Sequence, residues 1–301
     1  MGISSEQALD CFRSDDLVGI GMEADAVRRR LHPEGVVSYA VGSSVDCGAG
    51  AALDAARVAI AASVERGGTD VRLRFGGAAG DAVEAAVRSV RRQFPEVWLE
   101  GLSAAELIAI AAGWGLGLAE TIARLNDAGL NSICGDGADL SASGVVGRCS
   151  VAEWVAVHRA AHELGIRTEA TLMFGAGETL EQRVSFLQAV RELQEETGGF
   201  AAFVPVAADA PGGRELDGVT AVERLKTLAI GRMFLDNVEN VQTIGAVQGL
   251  KVLQMGLRLG ANDVGVVAES RGSEEDVRRI IRDAGFRPAE RDAAYRAMML
   301  A

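Results

Sequence analysis

The chain has 301 residues, 49% hydrophobic and 24% charged, enough apolar material for a large domain with a sizeable core. A net charge of −12 and a pI near 4.9 argue against a nucleic-acid partner, since no basic patch offsets phosphate repulsion. The N-terminus has neither the basic nor the apolar segment of a signal peptide, the longest apolar run (107–119) is too short to span a bilayer, and four scattered cysteines suit a reducing compartment, so a cytoplasmic protein with no membrane partner is expected.

Two helices open the chain, at 4–12 and 14–32. Ser14 is the expected N-cap of the second, with acids in its first turn and Arg28, Arg29 and Arg30 in its last, a polarity that complements the helix dipole. After Pro33, β-rich runs at 36–41, 70–75, 97–102, 131–134, 168–174, 200–206, 240–245 and 262–267 alternate with amphipathic stretches such as 81–94, 151–165 and 179–198. Strands separated by helices pair in parallel through right-handed crossovers, and eight of them predict a closed (β/α)8 TIM-type barrel. An open doubly wound sheet is the alternative. No linker or long repeat divides the chain, so one domain is expected: an N-terminal helical segment (1–33), the barrel (34–285) and a short C-terminal extension (286–301) packed on it.

Parallel barrels carry their sites at the C-terminal strand ends, which selects the candidates. After the second strand, Gly76 and Gly77 offer free backbone groups to a ligand, or simply make a tight turn. Glu100 interrupts an apolar third strand, where an inward carboxylate needs a partner or a ligand. Ser103 and Glu106 behind it form a capping box. The fourth strand enters a glycine-rich turn with Asp136 and Asp139, suited to a ribose or an amine. In the fifth, Glu169 and Thr171 share one face, and Gly175 and Glu178 stand in the following turn. His158 and His162 have the spacing of a metal pair, but their helix belongs to the outer ring and no third ligand is evident, so helix packing is expected. Cys11, Cys47, Cys134 and Cys149 form no CxxC or CxxxCxxC group, and no metal ligand is expected.

Six stretches carry a family likeness: AVRRRLHPEGVVSYAV (26–41), ERGGTDVRLRFGG (65–77), LNDAGLNSICGDGAD (125–139), CSVAEWVAVHRAAHELGIRTEATLMFGAGETLEQRV (149–184), LQEETGGFAAFVPV (193–206) and QGLKVLQMGLRLGANDVG (248–265). They resemble the futalosine-pathway radical SAM enzymes of menaquinone biosynthesis, from about residue 15 to the C-terminus. The resemblance implies a radical SAM barrel that holds S-adenosylmethionine (SAM) and a [4Fe–4S] cluster on a CxxxCxxC loop after the first strand. Here VGSSVDCGAG runs straight into a helix and Cys47 stands alone, so the expectation is no [4Fe–4S] cluster and no radical initiation. Gly76 and Gly77 match the segment that meets the SAM amino group, and Gly175 and Glu178 the adenine-side motif. Glu100 stands where the family has a histidine, Asp136 replaces a glycine, and Glu169 is an addition.

The function expected from these departures is non-radical: SAM or a related nucleoside bound intact, and polar chemistry (methyl transfer, cyclisation or elimination) on a small nucleoside- or aromatic-derived substrate. Glu100, Glu169 and Asp136 are the expected catalytic residues, and Gly76, Gly77, Ser103, Gly175 and Glu178 the expected cofactor-binding ones. A non-catalytic partner subunit and a conventional radical SAM futalosine synthase are the alternatives, and a homo-oligomer is compatible with the chain.

Overall fold

In a computed structural model of the chain, residues 2–47, 51–141, 147–208, 219–243, 249–267 and 273–300 are described. Helices α1 (Ser5–Arg13) and α2 (Leu17–Leu31) lead into strand β1 (Val36–Asp46), α3 (Ala51–Glu65), β2 (Asp70–Arg74), α4 (Gly80–Gln93) and β3 (Trp98–Gly101). Next come α5 (Ala104–Trp114), α6 (Leu118–Ala128), the short strands β4 (Ala138–Asp139) and β5 (Cys149–Ser150), α7 (Val151–Glu163), β6 (Thr168–Phe174), α8 (Leu180–Thr197) and β7 (Phe200–Ala207). The chain continues through α9 (Ala221–Phe234), β8 (Asn240–Val241), α10 (Leu250–Arg258), β9 (Asp263–Val267), α11 (Glu274–Asp283), β10 (Arg287–Arg291) and β11 (Ala297–Leu300).

Parallel pairing runs around a closed ring. β1 pairs with β2, β2 with β3, β6 with β7 and β7 with β8. Residues 131–135 fill the fourth position without a ladder of their own. A Glu100–Ser132 bridge ties them to β3, and the Thr171 N–H donates to the Gly135 carbonyl at 3.1 Å. A Gln242–Asp263 bridge and the β9–β1 pairing close the ring. The described residues of all eight expected runs therefore occupy barrel positions, and the open-sheet alternative falls. The period-two burial of β6 shows how sequence sets the layers: Thr168, Ala170, Leu172 and Phe174 are buried against the helices, while Glu169, Thr171 and Met173 face the lumen. Gly42 marks the point where β1 comes under β2; a Cβ there would sit 2.3 Å from the Asp70 carbonyl oxygen.

One local feature differs from expectation and two go beyond it. The N-cap of α2 is Asp16, which accepts the Gly19 N–H at 2.8 Å; Ser14 instead accepts the Asp16 N–H from the preceding turn. The apolar run 107–119 is broken at Gly115 (φ +65°) into α5 and α6, which meet at 100°. Among the described residues no single helix is long and apolar enough to cross a membrane. The C-terminal extension does more than pack. β10 adds to β1 at Val36–Tyr39, and because β9 also pairs with Ser38, β10 must lie on the opposite edge, the one that β2 takes further along. β11 pairs antiparallel with β10.

His158 and His162 are packing residues, as expected. Thr168 Oγ1 lies 2.9 Å from both His158 Nδ1 and His162 Nε2, and Trp154 and Phe200 pack on the rings. Burial, helped by the Arg167 charge, lowers the His162 pKa to about 4. The folded state then keeps the ring neutral where the unfolded chain takes up a proton, so stability falls as pH drops from 6.5 toward 4. The melting-temperature advantage of wild type over His162→Gln is therefore expected to grow as pH rises through that window. A pH-independent difference in calorimetric scans would remove this account.

Candidate active site

The second strand supplies the first components. In DVRLR, Val71 and Leu73 are buried against the helices, and Asp70, Arg72 and Arg74 line the lumen. Arg72 is the register partner of Glu100 on β3, so the two side chains meet across neighbouring strands. Arg72 Nη2 donates to Glu100 Oε1 at 3.0 Å and to Oε2 at 3.1 Å, and Nε donates to Oε2 at 3.2 Å. Glu169 approaches from β6, with its Oε2 3.8 Å from Arg72 Nη2. Its Oε1 accepts the Gln242 amide N–H at 2.6 Å and the Tyr295 hydroxyl.

Tyr295 comes from the turn between β10 and β11 and holds a left-handed φ of +63°, unusual for a side-chain-bearing residue. Two contacts hold it there: its N–H donates to the Asp292 carbonyl at 3.1 Å, and the Arg291 guanidinium lies 3.8 Å from its ring centre. Arg291 also forks onto Asp263 at 2.6 and 2.9 Å, and both side chains are almost wholly buried. The C-terminal hairpin thus closes the floor of the barrel and places a hydroxyl on a lumen carboxylate.

Asp70, Arg72, Glu100, Glu169, Gln242, Arg291 and Tyr295 line a cavity of about 1360 Å³. Burial pushes Glu100 up to about 8 against the pull of Arg72, and Glu169 and Asp70 push the same way. Burial likewise raises Asp70 to about 6, with Arg291 and Arg72 opposing and Glu169 adding. The Tyr295 hydroxyl is pushed well above its ordinary value by burial and then by Glu169. A carboxyl that exchanges its proton near neutrality, fixed by a guanidinium and facing a cavity, has the character of a general acid or base.

Six expected site residues come together on this cavity: Glu100, Glu169, Asp136, Gly76, Gly77 and Ser103. Gly76 (φ +59°) and Gly77 (φ +77°) form an open turn at its mouth, where a Cβ would meet nothing within 4 Å. Ser103 lines the cavity while capping α5, its hydroxyl 3.0 Å from Glu106 Oε2. Gly175 and Glu178 lie outside the lining of this cavity, in the turn that follows β6. The Glu178 carboxylate is buried within its own turn, accepting the Gly175 N–H at 2.7 Å, the Ala176 N–H at 2.9 Å and Arg183 Nε at 2.7 Å. Sequence reasoning missed Asp70 and Arg72, although the period-two face that exposed Glu169 would have found them. It also missed Gln242, Arg291 and Tyr295, whose sequence surroundings carry no comparable signal.

The closed parallel barrel, with a polar lumen open at its strand ends, is shared by solved structures. The FeFe-hydrogenase maturase HydG from Carboxydothermus hydrogenoformans superposes with a TM-score of 0.74 at 15% identity, over 98% of this chain and 78% of that one. Methylornithine synthase (PylB) superposes with a TM-score of 0.65 at 12% identity, over 96% of this chain and 95% of that one. Residues 197–301 match the family model of the CofH/MqnC C-terminal region. Cyclic dehypoxanthine futalosine synthase of Streptomyces coelicolor is 30% identical over 346 residues, covering 99% of this chain and 86% of that protein. Aminodeoxyfutalosine synthase of Thermus thermophilus is 36% identical over 234 residues, covering 70% of this chain and 63% of that protein. The chain belongs to the radical SAM futalosine-pathway family.

These relatives overturn two expectations. A non-radical transferase, lyase or cyclase acting on intact SAM has no support among them, since proteins similar over most of the chain are named as futalosine synthases. The expected absence of a [4Fe–4S] cluster, drawn from one loop, likewise conflicts with membership of a family whose chemistry uses one. Among the described residues no three His, Cys, Asp or Glu side chains converge on a metal-sized space, and burial pushes the thiols of Cys47 and Cys149 up to about 11 and that of Cys134 well above its ordinary value. No step below is routed through a cluster.

Two variants probe the floor. Arg291→Met leaves Asp263 buried without its guanidinium and is expected to cost about 3–5 kcal/mol in urea unfolding; a change under about 1 kcal/mol would deny the hairpin its anchor. Glu100 is raised from 4.5 to about 8, so its contribution to stability is full below 4.5 and lost as pH rises toward 8. Glu100→Gln should therefore gain on wild type across that interval, and a gain that appears only below pH 4.5 would reverse the assignment.

Proposed function

We propose that the chain is a futalosine-pathway biosynthetic enzyme that takes a nucleoside-derived small molecule into the barrel lumen. One observation carries the reading: in a member of this family, the lumen presents Glu100, with its pKa raised to about 8, forked by Arg72 beside Glu169. Glu100 holds or releases a proton at its carboxyl. Arg72 orients that carboxyl and keeps a positive charge beside it. Gln242 and Tyr295 donate to Glu169 Oε1 and leave Oε2 turned toward Arg72. Asp136 and the Gly76–Gly77 turn supply acceptor and backbone groups at the mouth, suited to ribose hydroxyls or to the amino-acid end of SAM.

The test is anaerobic incubation of the iron- and sulfide-reconstituted protein with SAM, a reductant and dehypoxanthine futalosine, alongside calorimetric titration of the same nucleoside. Saturable binding and a cyclised product are expected, and Glu100→Gln and Glu169→Gln should each lower turnover by about 100-fold or more without loss of fold. Failure of the nucleoside to bind would remove the reading. Binding without turnover would remove the enzymatic part, and full activity in both variants would remove the carboxylate roles.

A further inference from the structure

The floor of the lumen gathers four carboxylates, Asp70, Glu100, Glu169 and Asp263, around two guanidinium groups, Arg72 and Arg291. The donors there are already engaged. Arg72 forks onto Glu100 and Arg291 onto Asp263, while Gln242 and Tyr295 both donate to Glu169. Asp70 is left over. It is 6% exposed and lines the cavity, yet among the described residues its carboxylate accepts no hydrogen bond and joins no ion pair. A carboxylate that faces a cavity with no protein donor must take its partners from the cavity: water, a proton of its own or an outside cation. Burial raises its pKa to about 6, with Arg291 and Arg72 opposing, so the Asp70 carboxyl is largely ionised at pH 7.5.

We propose that Asp70 anchors a subsite for a cationic nitrogen group, an ammonium or amidinium, on a small ligand held deep in the lumen. The N–H donors of such a group supply the hydrogen bonds Asp70 lacks, and its charge offsets the carboxylate excess that Arg72 and Arg291 leave. Glu169 Oε2, 3.8 Å from Arg72 Nη2, faces the same space as a second acceptor. The proposal rests on the lumen being a ligand site but not on which nucleoside occupies the mouth, so failure of nucleoside binding would leave it standing.

Benzamidine and benzamide, nearly isosteric and differing in charge, make the test by calorimetry at pH 7.5. Benzamidine is expected to bind wild type at least about tenfold more tightly, and Asp70→Asn or Asp70→Ser to close that gap while leaving benzamide affinity unchanged. Equal affinities in wild type, or a gap that survives in the variants, would overturn the subsite. Should neither variant fold, a wild-type crystal soaked with benzamidine decides the matter: the amidinium is expected within hydrogen-bond reach of Asp70, and any other location overturns the proposal.

Discussion

The buried fork of Arg291 onto Asp263 is the contact on which the lower half of the barrel depends. Asp263 begins β9, the strand that closes the ring against β1, and Arg291 ends β10, the strand inserted at the foot of β1. The pair thus ties the closing seam to the end of the chain. Ser38 on β1 and the Gly265 N–H add two further hydrogen bonds to the buried Asp263 carboxylate. Arg291 also lies over the Tyr295 ring, and that ring carries the hydroxyl to Glu169. A structural anchor and a lumen carboxylate are therefore one connected network.

Polar groups at the foot of a parallel barrel usually serve stability, while the mouth carries the chemistry. Here the cavity runs from the Gly76–Gly77 turn down to Tyr295 and joins the two regions. Burial of Glu100 and Asp70 on the lumen raises both pKa values, with Arg72 opposing in each case and Arg291 also opposing at Asp70. A layer built only for stability would have paired Asp70 or replaced it with an apolar side chain, as the outward faces of the same strands do with Val71 and Leu99.

The relatives changed the functional reading more than the coordinates did. A short loop after β1 and a solitary Cys47 invited the inference of a changed reaction, yet likeness across nearly the whole chain places it among futalosine-pathway enzymes. A local departure is a weak guide to function when the strands that build the lumen persist, because those strands place the groups that meet the substrate. Cys47, Cys134 and Cys149 are buried thiols whose pKa values burial raises, consistent with packing roles.

Sequence alone determined the eight barrel positions, the inward face of β6 and the packing of His158 and His162, because each follows from periodicity along a few residues. Period two assigns Glu169 to the lumen, and the same rule applied to DVRLR would have assigned Asp70 and Arg72. What periodicity cannot show is which facing residues meet. Glu178 reads as a ligand-binding acid but folds back on its own turn, where Arg183 and two backbone N–H groups satisfy it. Tyr295 reads as part of a tail but reaches Glu169, 126 residues earlier in the chain. Such contacts were decided by tertiary structure alone: closing the ring brings together strand ends far apart in sequence, and side chains pair according to distance and burial rather than order along the chain.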